Sequence, residues 1–422
     1  MPDATPTNEL RALNRLAFDE LGGVPRGIGQ IHHGIARRAF WAVGPLGRPV
    51  KLAHDAMSRG VYSALGASSS LLGRASDAAM ARRGIGENLA LSATRPGSAM
   101  LGALNGLIGD ALEREGSALH QPAAVRVDGD PVPLDRESVR ARFPDATPWP
   151  VIFLHGLMET EFSWSIGSGP ARPTYGTRLS QDLGCTPVYV RYNSGRHISE
   201  NGRSVAELLD ALVAAWPVDV EQVTLVGHSM GGLIARSACH QGSRDAHDWA
   251  TRVGHVVSLG TPHMGAPLEQ AVHVASAALH RLPETRPLSA FLRRRSSGIR
   301  DLRQGSLVDE DWRDRDRDAL RAAACQEVPL LDGATHCFVS ASVTRSDRHP
   351  VGRLLGDCLV LVPSASGRSR TRRIPFDVEH GAHVGGTHHL ALLNHPEVYE
   401  HVRRWVATPP RRLAPEASAA VV

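Results

Sequence analysis

The pattern of hydrophobic positions changes at about residue 150. Before that point, apolar residues recur every three or four positions, as on one face of a helix, for example over residues 10–21 and 52–75. The pattern predicts a helical N-terminal region over residues 1–120. Its stripe is mostly Ala, Gly and Leu, which favours packing against other helices; an amphipathic surface for a membrane or a partner is the alternative.

From residue 151 onward, short continuous apolar runs alternate with helical patterns. The runs are VIFLHG (151–156), TPVYVRYN (186–193), VTLVGHS (223–229), HVVSLGTP (255–262) and HCFVSASV (336–343). Continuous apolar runs suit strands that are buried on both faces, as in a parallel sheet covered by helices. The alternation therefore predicts an α/β fold with a doubly wound, mostly parallel sheet.

The remaining segments suggest the domain boundaries. Proline-rich residues 121–150 form a predicted connection, with a short strand at Ala124–Val127. Residues 151–408 form the predicted α/β domain. Within it, residues 264–333 show no clear strand pattern and are predicted to be a cap insertion. The Pro-, Arg- and Ala-rich residues 409–422 are predicted to be a disordered tail.

Composition excludes several classes of protein. Apolar residues make up 42% of the chain and charged residues 21%, which is typical of a globular protein. The net charge is only +4, and no dense basic block is present, so we expect no nucleic-acid partner. The five cysteines are scattered and form no CxxC pair, which argues against a disulfide framework and a zinc site. No signal peptide or apolar stretch of about 20 residues is seen, which predicts a cytoplasmic protein.

A candidate nucleophile lies in the third of these runs. Gly227-His228-Ser229-Met230-Gly231 follows apolar residues and precedes a helical pattern. In a nucleophile elbow of this form, a strand turns sharply into a helix and exposes the serine hydroxyl, and the glycines two positions away avoid a collision. The alternative is an ordinary glycine-rich turn between a strand and a helix. The context favours a nucleophilic Ser229.

A serine nucleophile needs a histidine base and a carboxylate that orients it. After Ser229, Asp357 lies in a turn before an apolar run, and His388 and His389 lie in a glycine-rich loop before a helical pattern. Sequence order alone leaves the choice of histidine open. The N–H groups of Met230 and of Leu157, which follows His-Gly at the end of the first run, are candidate oxyanion donors.

Two further groups of residues are candidate ligand sites. The side chains of Met158, Phe162 and Trp164 follow the oxyanion segment and either line an acyl pocket or pack in the core. Four histidines are close in sequence, but they lack strict metal-ligand spacing. We therefore expect no metal site at His380, His383, His388 and His389, and no cofactor.

Residues 150–408 resemble the α/β-hydrolase fold and, within it, the bacterial lipase and esterase group. They are similar to domains that resemble GPI inositol-deacylases and triacylglycerol lipases. The resemblance rests on VIFLHGL, VTLVGHSMGGLIAR, SLGTPHMGAPL, GDCLVLVPSA and HHLALLNHPEVY. It implies that Asp357 is the acid, that His389 rather than His388 is the base, and that Leu157 and Met230 are the hole donors. Cys358 stands where such turns often carry glycine.

The function expected from these features is that of a serine ester hydrolase. It would cleave carboxylic esters, either small molecules or lipids, through an acyl-enzyme on Ser229. An acyltransferase or thioesterase with the same triad is one alternative. A catalytically silent scaffold that binds a membrane or partner through residues 1–120 is another. The sequence gives no indication of the oligomeric state.

Overall fold

A computed structural model describes residues 9–18, 90–266, 295–315, 325–346 and 349–409, together with scattered positions between 52 and 79. Three sequence predictions lie wholly or largely outside these residues. They are most of the predicted helical N-terminal region between residues 19 and 89, most of the predicted cap, and the tail from residue 410 onward.

Eight strands form one sheet in the described part of the chain. They are β1 (Ala124–Val127), β2 (Asp130–Pro131), β3 (Pro150–Leu154), β4 (Thr186–Arg191), β5 (Val223–His228), β6 (Val253–Leu259), β7 (Thr335–Ser342) and β8 (Gly381–Gly385). Their order is β2-β1-β4-β3-β5-β6-β7-β8. Strands β3 to β8 are parallel, and β1 runs antiparallel to β4. The predicted α/β fold with a mostly parallel sheet is confirmed.

The sheet extends beyond the predicted runs on both sides. The short strand predicted at Ala124–Val127 is present as β1 and pairs with β4, so the proline-rich segment contributes to the sheet. Strand β8 was not predicted, because its sequence GAHVG has no apolar run. A glycine is needed where this strand meets its neighbour: a Cβ at Gly381 would lie 2.4 Å from the Phe338 ring.

Helices cover the sheet on both faces. Those with α-helical hydrogen bonding are α1 (Arg95–Arg114), α2 (Arg136–Arg142), α3 (Tyr175–Leu183), α4 (Ile198–Ala215), α5 (Met230–Arg244), α6 (Asp248–Thr251), α7 (Ser297–Asp301), α8 (Pro350–Leu355), α9 (Val362–Ala365) and α10 (Pro396–Val406). Helix α1 is kinked at Ile108. Single-turn 3-10 segments occur at Leu91–Ala93, Glu161–Ser165, Asp309–Asp311 and Val378–His380, and a longer one at His389–Asn394.

The hydrophobic core has one layer on each face of the sheet. In β3, Ile152 and Leu154 join the layer under α4 and α5, whereas Val151 and Phe153 join the layer under α3 and α10. All five residues of β3 are buried, and so are all six of β5. This two-sided burial explains why these strands read as continuous apolar runs rather than as alternating patterns.

The strand order reverses its direction of growth at β3. From β3, the chain adds β4 on one side and then returns to add β5 on the other. In open parallel sheets, the carboxyl ends of the strands at such a point border a crevice where ligands bind. His155 and Ser229 directly follow β3 and β5, so both residues lie at this edge.

The chain divides into two compact units. One comprises Met1–Thr94, Leu112–His120 and Ala271–Arg295; the other comprises Arg95–Ala111, Gln121–Gln270 and Ser296–Val422 and contains the whole sheet. In the first unit, residues 9–18 are helical, as the N-terminal pattern predicts, and the Ser92 N–H donates to the Glu9 carboxylate at 3.0 Å. Most of α1 belongs to the second unit, although its sequence reads as part of the N-terminal region. No described helix is long and apolar enough to cross a membrane.

Candidate active site

Ser229 occupies a strained turn between β5 and α5. Its φ and ψ are 52° and −122°, a conformation that is costly for a residue with a side chain. Its N–H donates to the Leu259 carbonyl oxygen at 2.8 Å, which fixes the turn against the end of β6. The side chain is half-buried, so its hydroxyl is held at the carboxyl edge of the sheet and remains partly open to solvent.

The two glycines of the elbow are required by close backbone contacts. A Cβ at Gly227 would lie 2.4 Å from the Gly231 carbonyl carbon, so the turn brings these two positions together. A Cβ at Gly231 would lie 2.2 Å from the Leu154 carbonyl oxygen. The second glycine therefore also allows α5 to begin directly beside the end of β3. These are the close contacts that the predicted elbow geometry requires at its two glycines.

His389 and Asp357 form a buried pair beside this turn. Their Nδ1 and Oδ2 atoms are 2.7 Å apart, and the two residues are only 4% and 1% exposed. The His389 ring packs on Gly260, where a Cβ would lie 3.2 Å from its Cε1 and Nδ1 atoms. Because Gly260 follows the residue that accepts the Ser229 N–H, His389 and Ser229 lie beside the same short segment.

The turn around Asp357 is built to hold its carboxylate. One carboxylate oxygen accepts the Leu359 and Val360 N–H groups at 3.0 and 2.8 Å, which leaves the other oxygen for His389. Gly356 and Cys358 flank the acid at φ values of 57° and 85°. Cys358, although not a glycine, therefore adopts a left-handed conformation.

The structure distinguishes the two adjacent histidines, His388 and His389, between which sequence order could not choose. The His388 side chain is exposed, whereas His389 is buried against Asp357. The His389 Nε2 atom is buried and has no hydrogen-bond partner among the residues that the structure describes. This is the ring nitrogen opposite the one that faces Asp357, so it is available to take a proton from a nucleophile.

The loop after β3 brings Leu157, the second candidate for an oxyanion donor, to the same edge of the sheet. The next residue, Met158, fixes this loop: its N–H donates to the Ser194 hydroxyl oxygen at 3.1 Å, and its φ is 60°. Within the described residues, no protein acceptor is found for the Leu157 and Met230 N–H groups. Helix α1 packs on this loop, because a Cβ at Gly106 would lie 2.4 Å from the Met158 Cγ atom.

The three residues considered for an acyl pocket are placed differently. Met158 and Phe162 are half-buried, and the Arg95 guanidinium lies 5.7 Å from the centre of the Phe162 ring. Trp164 is 2% exposed and packs edge-on against Phe153, with ring centres 4.9 Å apart. Trp164 therefore packs in the hydrophobic core, which is the second of the two alternatives given for this side chain.

A second buried pair, which the sequence reasoning missed, lies beside Ser229 in the chain: His228, the residue before it, faces Glu159. The His228 Nδ1 atom is 3.0 Å from Glu159 Oε1, and the ring is fully buried. Glu159 Oε2 also accepts the Gly156 N–H at 2.7 Å. Burial opposes charge on both side chains, but their mutual attraction dominates: it raises the pKa of His228 and holds the pKa of Glu159 at about 2. The available sequence signal was a histidine at the end of an otherwise apolar strand.

His155, at the end of β3, has the opposite electrostatic character. Its ring stacks on Tyr192 with centres 4.0 Å apart, its Nδ1 faces the Gly156 carbonyl oxygen at 2.9 Å, and its Nε2 accepts the Tyr192 N–H at 3.3 Å. Burial lowers its pKa to about 4, so the ring is neutral. It supports the loop rather than acting as a base.

The histidines considered for a metal site are dispersed among other contacts. His383 lies between the Ser340 and Ser342 hydroxyl groups, at 3.1 Å from each, and His380 faces Asp377 at 3.8 Å. Within the described residues, no group of three or more His, Cys, Asp or Glu side chains is arranged to hold a metal ion.

Residues 187–309 match the family model of the PGAP1-like alpha/beta domain. This segment contains Ser229 and the helices on either side of β5. Together with the strand order, the match indicates the fold. The chain is an α/β-hydrolase-fold protein. Asp357 and His389 lie outside the matched segment, so their assignment in this hydrolase fold rests on geometry alone.

Solved structures similar to this hydrolase-fold chain include bacterial and archaeal enzymes. The mature lipase BlEst2 of Bacillus licheniformis is 17% identical, with a TM-score of 0.40 over 61% of this chain and 91% of that chain. EstA of Clostridium botulinum is 13% identical, with a TM-score of 0.37 over 64% and 89%. An esterase of Pyrobaculum calidifontis is 16% identical, with a TM-score of 0.35 over 62% and 75%. No curated protein sequence matches the chain significantly.

Proposed function

We propose that this protein is a serine ester hydrolase that uses Ser229 as nucleophile, His389 as base and Asp357 as the orienting acid. The observation that carries the proposal is the buried contact of 2.7 Å between His389 Nδ1 and Asp357 Oδ2, beside a serine held in a strained elbow. A carboxylate on Nδ1 fixes the tautomer in which Nε2 can accept a proton.

The proposed reaction has two steps. Ser229 Oγ attacks the ester carbonyl carbon while His389 Nε2 takes the hydroxyl proton, and the tetrahedral intermediate collapses as His389 returns the proton to the leaving alcohol. Water then attacks the acyl-enzyme by the same route and releases the acid. The N–H groups of Leu157 and Met230 stabilise the oxyanion; in measured cases, one such donor contributes about 3 kcal/mol.

The first test is labelling with a fluorophosphonate serine probe. The wild-type protein should be labelled, and Ser229→Ala and His389→Ala should both lose the label. Ser243→Ala is a matched control, since Ser243 is an exposed serine on the same helix, α5, and should label as wild type does. Folded wild-type protein that does not react would refute the proposal and favour a silent scaffold.

A panel of p-nitrophenyl esters of increasing acyl length then defines the substrate. Hydrolysis that depends on Ser229 supports an esterase, and the preferred length measures the acyl pocket near Met158 and Phe162. Product analysis with added alcohols and with thioesters separates hydrolysis from acyl transfer and thioesterase activity. Transfer to alcohol in preference to water would replace the hydrolase assignment with an acyltransferase.

A further inference from the structure

His228 connects the two loops that the proposed reaction needs. Through Nδ1 it contacts Glu159, whose carboxylate also accepts the Gly156 N–H of the loop that carries Leu157. Through Nε2 it contacts the main-chain carbonyl oxygen of His389 at 3.3 Å. The His228 ring, one residue before Ser229, thus joins the loop that contains Leu157 to the main chain of His389, the proposed base.

The chemistry of these contacts defines the state of the ring. Glu159 and the His389 carbonyl group present acceptors only, so a ring that satisfies both must carry a proton on each nitrogen. A neutral ring would leave one nitrogen lone pair facing an acceptor. The fully buried His228 is therefore an imidazolium paired with a carboxylate, and such a pair is costly to break from either side.

The packing around His228 leaves few other positions for these loops. The ring centres of His228 and His389 are 4.7 Å apart, and the Trp164 ring meets His228 edge-on at 6.4 Å. A Cβ at Gly156 would lie 3.0 Å from the Glu159 carboxyl group. The glycine in the His-Gly dipeptide therefore allows Glu159 to fold back beneath the loop.

We propose that Glu159 and His228 are positioning residues that hold the Leu157 loop and the His389 main chain in register around Ser229. The inference rests on the proposed function. The pair does not touch substrate and moves no proton in the reaction. It fixes the distance between the oxyanion donor and the base, and small displacements of such groups reduce the rate of the chemical step.

Kinetics of Glu159→Gln, His228→Asn and the double variant test this role. Each single variant should lower kcat by about 10- to 100-fold with little change in KM, because substrate binding is retained while the reacting groups are misplaced. The double variant should be no slower than the slower single one, since both remove the same connection. Fluorophosphonate titration supplies the active-site concentration, so unfolded protein does not lower the measured kcat.

A matched control is the buried pair formed by His197 and Asp301, with Nδ1 and Oδ2 3.0 Å apart. This pair has no hydrogen bond to Ser229, Asp357 or His389, so Asp301→Asn should lower the melting temperature and leave kcat unchanged. Wild-type kcat in Glu159→Gln and His228→Asn would overturn the proposal, as would losses that multiply in the double variant. An inactive, unlabelled wild type would instead refute the proposed function.

A second measurement reports the protonation of the His228 ring in the wild-type protein, with the His228→Asn variant used to assign its resonances. In nitrogen-15 NMR of histidine-labelled protein at neutral pH, the ring resonances that are missing in His228→Asn should have the shifts of a doubly protonated imidazolium. Glu159→Asp keeps the charge and should recover part of the kcat lost in Glu159→Gln. Shifts of a neutral ring at His228 would contradict the assignment.

Discussion

His389 and Asp357 are joined twice, once through their side chains and once through the main chain. The His389 Nδ1 atom contacts the Asp357 carboxylate at 2.7 Å, and the His389 N–H donates to the Asp357 carbonyl oxygen at 2.9 Å. The second bond docks the loop that carries the histidine onto the turn that carries the acid. The orientation of the ring is therefore set before any substrate arrives.

Replacing Asp357 with Asn should remove most of the activity without unfolding the protein. The amide oxygen of the substituted side chain can still accept the Leu359 and Val360 N–H groups, but its NH₂ group would then face His389. The Nδ1 lone pair of His389 would then accept a hydrogen bond from this NH₂ group, and the ring proton would lie on Nε2. A protonated Nε2 cannot take the proton of Ser229. We expect kcat to fall by roughly four orders of magnitude, measured on a p-nitrophenyl ester.

Asp377→Asn is the matched control for this carboxylate-to-amide change. Asp377 accepts the Glu379 N–H in an exposed turn and has no contact with Ser229 or His389. Its variant should keep the wild-type kcat. An Asp357→Asn protein with wild-type kcat would exclude Asp357 as the orienting acid.

A methyl group at Gly231 should disturb both the nucleophile and the oxyanion loop. The added Cβ would lie 2.2 Å from the Leu154 carbonyl oxygen and 2.7 Å from that of His155, and neither main-chain atom can move freely. Gly231→Ala should lower the free energy of unfolding by about 1–3 kcal/mol and slow fluorophosphonate labelling. Urea titration and labelling rates measure the two effects. At Gly169, where a Cβ meets nothing within 4 Å, the same change should have neither effect.

The left-handed conformation of Cys358 predicts an unusual order of stabilities. At φ 85°, a Cβ is strained, so glycine is favoured over any other residue. Cys358→Gly should be more stable than Cys358→Ala by roughly 1 kcal/mol, although alanine is normally the less costly replacement. Urea denaturation of both variants measures the difference. Equal stabilities, or a more stable alanine variant, would show that this turn carries no strain.

The buried histidines should make the protein less stable as the pH falls, beginning at about pH 6.5. Burial lowers the pKa of His155 and His255 to about 4 and that of His336 to about 3, and it holds the pKa of His263 well below its ordinary value. The unfolded chain binds protons at these sites below about pH 6.5, whereas the folded chain does not. The free energy of unfolding should therefore decrease as pH falls from 6.5 to 4.

His255→Asn should make this pH dependence shallower, by up to about 1.4 kcal/mol per pH unit for the one site removed. His255 is 1% exposed and lies near the amino end of β6, away from Ser229. Urea titrations at several pH values between 4 and 7 measure the slopes; identical slopes in wild type and His255→Asn would contradict this assignment.

The sequence by itself determined strands β3 to β7 of the sheet and the turn that carries Ser229. Strands β3 to β7 could be predicted because each forms a short apolar run in the sequence, and β3, β5 and β6 are buried along their whole length on both faces. The Ser229 elbow could be predicted because its close backbone contacts require glycine two positions before and two positions after the serine, at Gly227 and Gly231. Such local constraints appear as residue types at fixed spacing. Strand β8 has no such signature, because it consists mostly of small residues and one of them, Gly381, packs against the Phe338 ring of the neighbouring strand.

Only the tertiary structure decided which histidine faces Asp357 and which side chains pack against His228, next to Ser229. His388 and His389 are adjacent, and the docking of their loop on a turn 32 residues earlier buries one and exposes the other. His228 contacts Glu159 and His389, which lie 69 and 161 residues away in the chain. Contacts over such separations follow from the order of strands in the sheet, which brings the ends of β3 and β5 together, and no local pattern encodes them.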